Sequence, residues 1–213
     1  MRFQIFVSLT LLCFFYDKAE AKLTTDGEAG IVSTTGNSRN KSYIVKDRTQ
    51  LQHGKDIYAA YGSYLETRRG EEQTAQSWLI GIRYERLISD FLSAFLAQQA
   101  EGDKFAGILQ RYNSDLGGKH YFIRKEKETT ALTEVGYRYT HEHSTSNEYR
   151  NFQKARFYLE GEKYLNPTVS AKLWIEYLPN FTDARNWLLN SEASLSAALN
   201  SVFSLKVGYL VRY

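Results

Sequence analysis

The last eleven residues, 203–213, constrain the chain more than any other stretch. Phe203, Leu205, Val207, Tyr209, Val211 and Tyr213 take alternate positions; Ser204, Lys206, Gly208 and Arg212 take the others, with Leu210 the exception. Successive side chains of a strand point to opposite faces, so this stretch offers one face to oil and the other to something polar. It then stops on an aromatic residue. Two environments accept such a strand: a half-buried antiparallel sheet of a soluble protein, or the wall of a transmembrane β-barrel.

The same alternation recurs upstream. The pattern and its breaks predict strands over 28–35, 43–52, 57–67, 75–87, 91–99, 108–119, 131–142, 152–165, 169–178, 188–199 and 203–213. Residues 22–26 read as a polar lead-in. In 91–99 the residues are more uniformly apolar and periodicity does not separate helix from strand; flanking turns roughly ten residues apart favour a strand. Most of these segments reach the roughly 9–11 residues that a tilted strand needs to cross a bilayer. Strands of soluble sandwiches run about 5–6 residues. Short turns (53–56, 88–90, 124–128, 166–167, 200–201) alternate with longer loops (68–73, 101–106, 143–150, 179–186), the asymmetry of an outer-membrane barrel. No strand–helix alternation points to a βαβ layout. The expected fold is therefore all-β: an antiparallel, up-and-down transmembrane β-barrel with eleven countable strands.

The first 21 residues stand apart. Arg2 supplies a positive charge, residues 5–16 are mostly apolar, and Ala19-Glu20-Ala21 is a small-x-small cleavage site. That is a secretory signal peptide, followed by a barrel domain over 22–213. The apolar run is too short to span about 30 Å of hydrocarbon as a helix. Cys13 follows Leu11-Leu12 and lacks the small residue that a lipid-anchored cysteine wants before it. Cleavage removes two charges of each sign and leaves the net charge at +3. That excess is too mild to argue for nucleic acid. The only cysteine leaves with the signal, which excludes disulfides and thiolate metal sites after cleavage. The mean hydropathy of −0.46 and the lack of a long apolar run exclude a helical membrane protein. A barrel survives both facts, because lumen-facing residues dilute lipid-facing ones.

If every apolar face meets lipid, the opposite face lines the lumen. It carries Lys46, Arg48, Arg83, Glu85, Arg111, Asp115, Glu134, Arg138, Arg156, Glu160, Lys172 and Glu176, followed by Lys206 and Arg212. Charges at that depth must be paired or wetted. Acids and bases are interspersed, so salt bridges bracing the interior and a water-filled pore are both open. A selectivity role would fall on Arg83, Arg111 and Arg138. Asp47 alone breaks the pattern, falling on the apolar face of its strand.

Four stretches resemble a known family. Gly30-Ile31-Val32-Ser33-Thr34-Thr35-Gly36-Asn37 is similar to the opening motif of the salt-induced outer-membrane proteins, a β-barrel family of unknown function. Phe105-Ala106-Gly107-Ile108-Leu109-Gln110-Arg111-Tyr112 is similar to its mid-chain motif. Gly117-Gly118-Lys119-His120-Tyr121-Phe122 and Glu134-Val135-Gly136-Tyr137-Arg138-Tyr139 resemble the stretches that follow. The resemblance implies an outer-membrane barrel with a link to salt or osmotic stress. It also implies a twelfth strand beyond the point where this sequence stops. Strand parity agrees, because eleven up-and-down strands leave an open edge, and unpaired backbone in lipid costs several kcal/mol per group. The last strand is therefore expected to be missing from residues 22–213.

Other chemistries are weighed against this reading. His141, His143, Ser144 and Asn147 put imidazole, hydroxyl and amide at one outer loop, as a lipid hydrolase would. Neighbours on one strand face opposite ways, which hinders a Ser–His pair at that spacing. Arg68-Arg69 suits lipopolysaccharide phosphates, but Glu71-Glu72 is adjacent. His141 and His143 alone share a strand face, which is thin support for a metal. The expectation is a small barrel, structural or channel-like, in the outer membrane of a Gram-negative bacterium after Sec-type export. No enzymatic activity, cofactor or metal is expected. Its partners are outer-membrane lipid and the barrel-assembly machinery, with no nucleic acid. The alternatives are the lipid hydrolase and a soluble periplasmic β-protein.

Overall fold

A computed structural model describes residues 21–34, 40–125, 128–200 and 204–213. The expected leader, 1–21, lies outside these except for Ala21. So do residues 35–39, 126–127 and 201–203, which take in the end of the first expected strand, parts of the expected turns 36–40, 124–128 and 200–201, and Phe203. Eleven strands form one sheet in chain order: β1 Lys22–Thr34, β2 Asn40–His53, β3 Asp56–Arg69, β4 Glu72–Leu87, β5 Leu92–Asp103, β6 Ile108–Lys125, β7 Thr129–Ser144, β8 Tyr149–Asn166, β9 Val169–Leu178, β10 Leu188–Ala198 and β11 Ser204–Arg212. Every neighbouring pair is antiparallel, as the alternation predicts. The segment 91–99 is strand, not helix.

Most strands outrun their predicted bounds. The polar lead-in 22–26 is part of β1, where Lys22 pairs with Gln52. Strand β6 continues to Lys125, and β5 includes Glu101 to Asp103. Apolar alternation marks only the part of a strand that borders two media. The backbone ladder runs on past it, through mostly polar residues in β1, β3 and β5 and through Tyr121, Phe122 and Ile123 in β6. The expected loop 68–73 shrinks to a two-residue turn at Gly70-Glu71, with Gly70 at φ 64°. Only 179–187 remains long, so the loop asymmetry is weaker than the sequence suggests.

Side chains divide by face as the period of two requires. On β3 and β4 the outward face carries Tyr58, Ala60, Gly62 and Tyr64 against Tyr84, Ile82, Ile80 and Trp78. Ile82 is 63% exposed, and Tyr209 on β11 is 75% exposed. Aromatic pairs bound this apolar band: Tyr58 packs on Tyr84 at 5.4 Å, and Tyr64 lies across from Trp78. Beyond the first pair, Arg86 meets Asp56 at 2.9 Å. The inward face holds the buried groups, including Phe95, Leu132, Phe152 and Leu178. The lumen is therefore the core, and it is not purely polar.

The sheet curls until its ends face each other. Lys206 of β11 reaches Glu28 of β1 at 3.3 Å, and Glu28 also takes Lys46 at 3.3 Å. Yet no Cα of β1 lies within 8 Å of one of β11. The two edge strands run parallel, and their backbones do not pair.

Candidate functional site

The lumen is crossed by a connected belt of ion pairs. Arg83 of β4 donates to both oxygens of Glu134 on β7, at 3.1 and 2.7 Å. It also donates to Glu85 at 3.0 Å. Lys119 of β6 sits on Glu85 at 2.8 and 2.6 Å, and Ser93 donates to the same carboxylate at 2.7 Å. Arg156 of β8 joins Glu134 at 2.6 Å to Glu176 of β9 at 2.7 Å. Glu176 also accepts from Asn190 at 3.0 Å and lies 3.6 Å from Arg138. Arg138 clamps Asp115 through two bonds of 2.6 and 2.7 Å. Four bases (Arg83, Lys119, Arg138, Arg156) meet four acids (Glu85, Asp115, Glu134, Glu176), so the belt is neutral. Bidentate, charge-assisted bonds of this kind are the strong ones.

Glycine and one phenylalanine make the span from β4 to β7 possible. Gly117 and Gly136 are a cross-strand pair. A Cβ on Gly117 would lie 2.7 Å from Phe95 Cζ, so the missing side chain lets the Phe95 ring lie across β6. Phe95 is 2% exposed. The Arg83 guanidinium stacks on it at 3.8 Å, a cation–π contact that carries Arg83 over the intervening strands. Tyr61 repeats the device: its ring occupies the space over Gly81, where a Cβ would come within 2.4 Å, and its hydroxyl donates to Gln99 at 3.4 Å.

A second group lies nearer the 104–107, 145–148 and 179–187 connections. Arg111 bonds Glu142 at 2.7 Å and Glu101 at 3.2 Å. Asn113 donates to Glu101 at 3.1 Å and accepts from Thr140 at 2.8 Å. Elsewhere Lys172 meets Glu160 at 2.9 Å, and Lys206 meets Glu192 at 2.7 Å. Arg48 approaches the Tyr61 ring at 5.8 Å.

Eight of the charges predicted to line the lumen thus fall into the two central groups: Arg83, Glu85, Arg111, Asp115, Glu134, Arg138, Arg156 and Glu176. Lys46, Glu160 and Lys172 sit in peripheral pairs, and the side chain of Arg212 lies outside the described residues. Sequence reasoning left out Lys119, Glu101, Glu142, Lys154 and Glu192. The signal was there: Lys119 is in phase with Arg111 and Asp115, and Glu142 with Arg138. Asp47 does face outward, beside Gly27 and Gly62 in the strand register.

Of the residues weighed for hydrolysis, His143 and Asn147 are brought together, and Ser144 lies on the opposite face of the strand. Ser144 is buried on the inward face and bonds Ser146 at 2.6 Å. His143 points outward, bonds Asn147 at 3.0 Å and stacks on Tyr149 at 4.2 Å. His141 bonds Asn151 at 2.7 Å. Arg68 pairs with Glu66. Among the described residues, no group of three His, Cys, Asp or Glu side chains is placed to hold a metal ion.

A comparison with curated proteins finds no match. A family model does match, over residues 27–213, which takes in ten of the strands whole and the greater part of the first. On that extent the chain belongs to the family described as "Protein of unknown function, DUF481".

Proposed function

We propose that this chain is an outer-membrane β-barrel whose lumen is sealed by its own side chains: a structural wall element, not an open pore. The observation that carries the reading is the division of faces. Large apolar and aromatic side chains stand open on the outer surface, while ionisable ones pair on the inner surface. A soluble β-sheet protein would do the reverse, burying its apolar face. The belt from Glu85 to Glu176 supports sealing over conduction, because its charges are committed to one another and the Phe95 ring packs among them.

Closure is part of the proposal. One inter-strand step is about 4.8 Å and two are about 9–10 Å. The β1–β11 gap exceeds 8 Å, yet Glu28 and Lys206 still touch at 3.3 Å. One added strand, antiparallel to both edges, fits that gap. An even number of added strands would leave a parallel junction. The link to salt or osmotic stress rests on the motif resemblance alone, and transcript levels after a salt upshift test it.

The experiment is to refold the chain in detergent with and without an appended closing strand, then compare gel mobility before and after boiling. The extended chain migrates faster unboiled, and in planar bilayers it carries no steady current. Unchanged mobility in both forms would remove the membrane reading in favour of a soluble β-protein. A steady current would remove the sealed lumen.

A further inference from the structure

Two buried hydrogen-bond donors meet beneath the 179–187 connection with no acceptor between them. Lys154 of β8 is 2% exposed and Asn180 is 5% exposed. They face each other across an isolated antiparallel bridge. The flanking bonds, Ala155 N–H to Pro179 O at 3.1 Å and Phe181 N–H to Gln153 O at 2.8 Å, make this a non-hydrogen-bonded pair. In such pairs the side chains stand closest. The Asn180 Oδ1 atom accepts from the Thr182 and Asp183 amides at 2.9 and 3.3 Å, which fixes the orientation of the side chain. Its Nδ2 is then a buried donor with no partner.

The Lys154 side chain, also buried, makes no hydrogen bond or ion pair among the described residues. Its ammonium lies 5.3 Å from the centre of the Phe152 ring. Its cross-strand neighbour on β7 is Arg138, another cation. Arg111 and Arg138 repel it, Glu142 and Glu101 attract it from a distance, and among the described residues no carboxylate forms an ion pair with it. Arg111 holds Glu142 and Glu101, and Arg138 holds Asp115. A buried unpaired donor costs about 1–3 kcal/mol, and a buried unpaired charge costs more. Two side by side, with further cations around them, call for an acceptor carrying negative charge.

We propose that Lys154 and Asn180 form a binding site for a small monovalent inorganic anion of halide size, held between the Lys154 ammonium and the Asn180 amide. Phe152 and Leu178, both buried, flank the pair two residues away on the same face and offer an anion no further hydrogen bond, which suits a small ion needing few donors. The site fastens the 179–187 connection to the wall of the lumen. It does not depend on the membrane reading, because its residues lie on β8 and the connection that follows β9.

The test is the thermal midpoint of the refolded chain in bromide against isethionate at equal ionic strength, with anomalous diffraction from bromide-grown crystals. Bromide raises the midpoint by several degrees and saturably, and a bromide peak lies between Lys154 Nζ and Asn180 Nδ2. Lys154→Met abolishes the response. Asn180→Asp keeps the turn and supplies a built-in acceptor; it stabilises the chain in isethionate and also abolishes the response. Equal wild-type midpoints in the two salts would mean that water alone fills the gap and would overturn the proposal. So would an undiminished bromide response in Lys154→Met, or a bromide peak elsewhere. Gel mobility of the same samples reports closure separately, so failure of one idea is not mistaken for failure of the other.

Discussion

Arg83 and Glu134 share two hydrogen bonds although β5 and β6 separate their strands. Side chains that bridge non-adjacent strands do what backbone ladders do not: they fix the curvature of the sheet. Removing one partner leaves the others charged and buried. Glu134→Ala takes one carboxylate from Arg83, which keeps Glu85, and one from Arg156, which keeps Glu176, and is expected to destabilise the fold by about 3 kcal/mol. Urea unfolding of the lipid-embedded chain measures it. The double variant Arg83→Ala/Glu134→Ala should lose less than the sum of the two single variants, since the two residues act as one unit.

The glycine bay makes a second demand. A Cβ on Gly136 would lie 2.7 Å from the Leu116 carbonyl, and one on Gly117 would lie 2.6 Å from the Val135 carbonyl. Gly117→Ala should therefore displace Phe95 and the guanidinium stacked on it, at a cost of about 1–3 kcal/mol. Gly161 offers the control, since nothing lies within 4 Å of its added Cβ. Gly161→Ala should leave the unfolding midpoint within error of wild type.

Asp47 gives a prediction of opposite sign. It lies on the outward face between Gly27 and Gly62, flanked along its own strand by Val45 and Thr49, with Thr49 donating to it at 3.4 Å. A carboxylate against hydrocarbon is costly, though less so than an Arg or Lys. On the proposed membrane reading, Asp47→Val stabilises the chain refolded in vesicles by about 1–2 kcal/mol. Unfolding compared in vesicles and in urea-matched detergent checks it. No gain in vesicles would mean that Asp47 does not meet lipid.

A fourth prediction concerns Phe95. Phe95→Ala removes the platform under Arg83 and leaves a void where the belt crosses the lumen. Large-to-small changes at buried aromatic positions cost about 3–5 kcal/mol. In a closed barrel the same variant should turn a silent bilayer into one with flickering current. A silent Phe95→Ala barrel would show that the ion pairs alone seal it.

The fold was legible because one physical rule, alternation at a boundary between two media, operates in nearly every strand. Val207, Tyr209 and Lys206 announce their faces individually. Strand ends were not legible: Lys22 and Lys125 are polar on either face, so nothing in their chemistry separates ladder from loop. The charges of the lumen could be read one at a time, as with Glu85 and Arg138. Their partners could not, because Arg83 reaches Glu134 only through the missing side chain of Gly117 and the ring of Phe95. Phe95 belongs to a uniformly apolar run in which alternation assigns no face, and it lies inside. Lys154 carried the right phase, but its lack of a partner is a property of packing that no spacing encodes.

Glu28 and Lys206 are 178 residues apart, while every backbone strand pairing joins chain neighbours. Each hairpin can form locally and quickly, since low sequence separation keeps the entropy of closure small. The seam alone carries a long-range toll, roughly 4–5 kcal/mol for a loop of that length. It is therefore the last joint to set and the first to part when the wall is strained. A polypeptide that folds this way has one vulnerable line along its circumference, and Glu28, Lys206 and Lys46 are the latch that holds it in register.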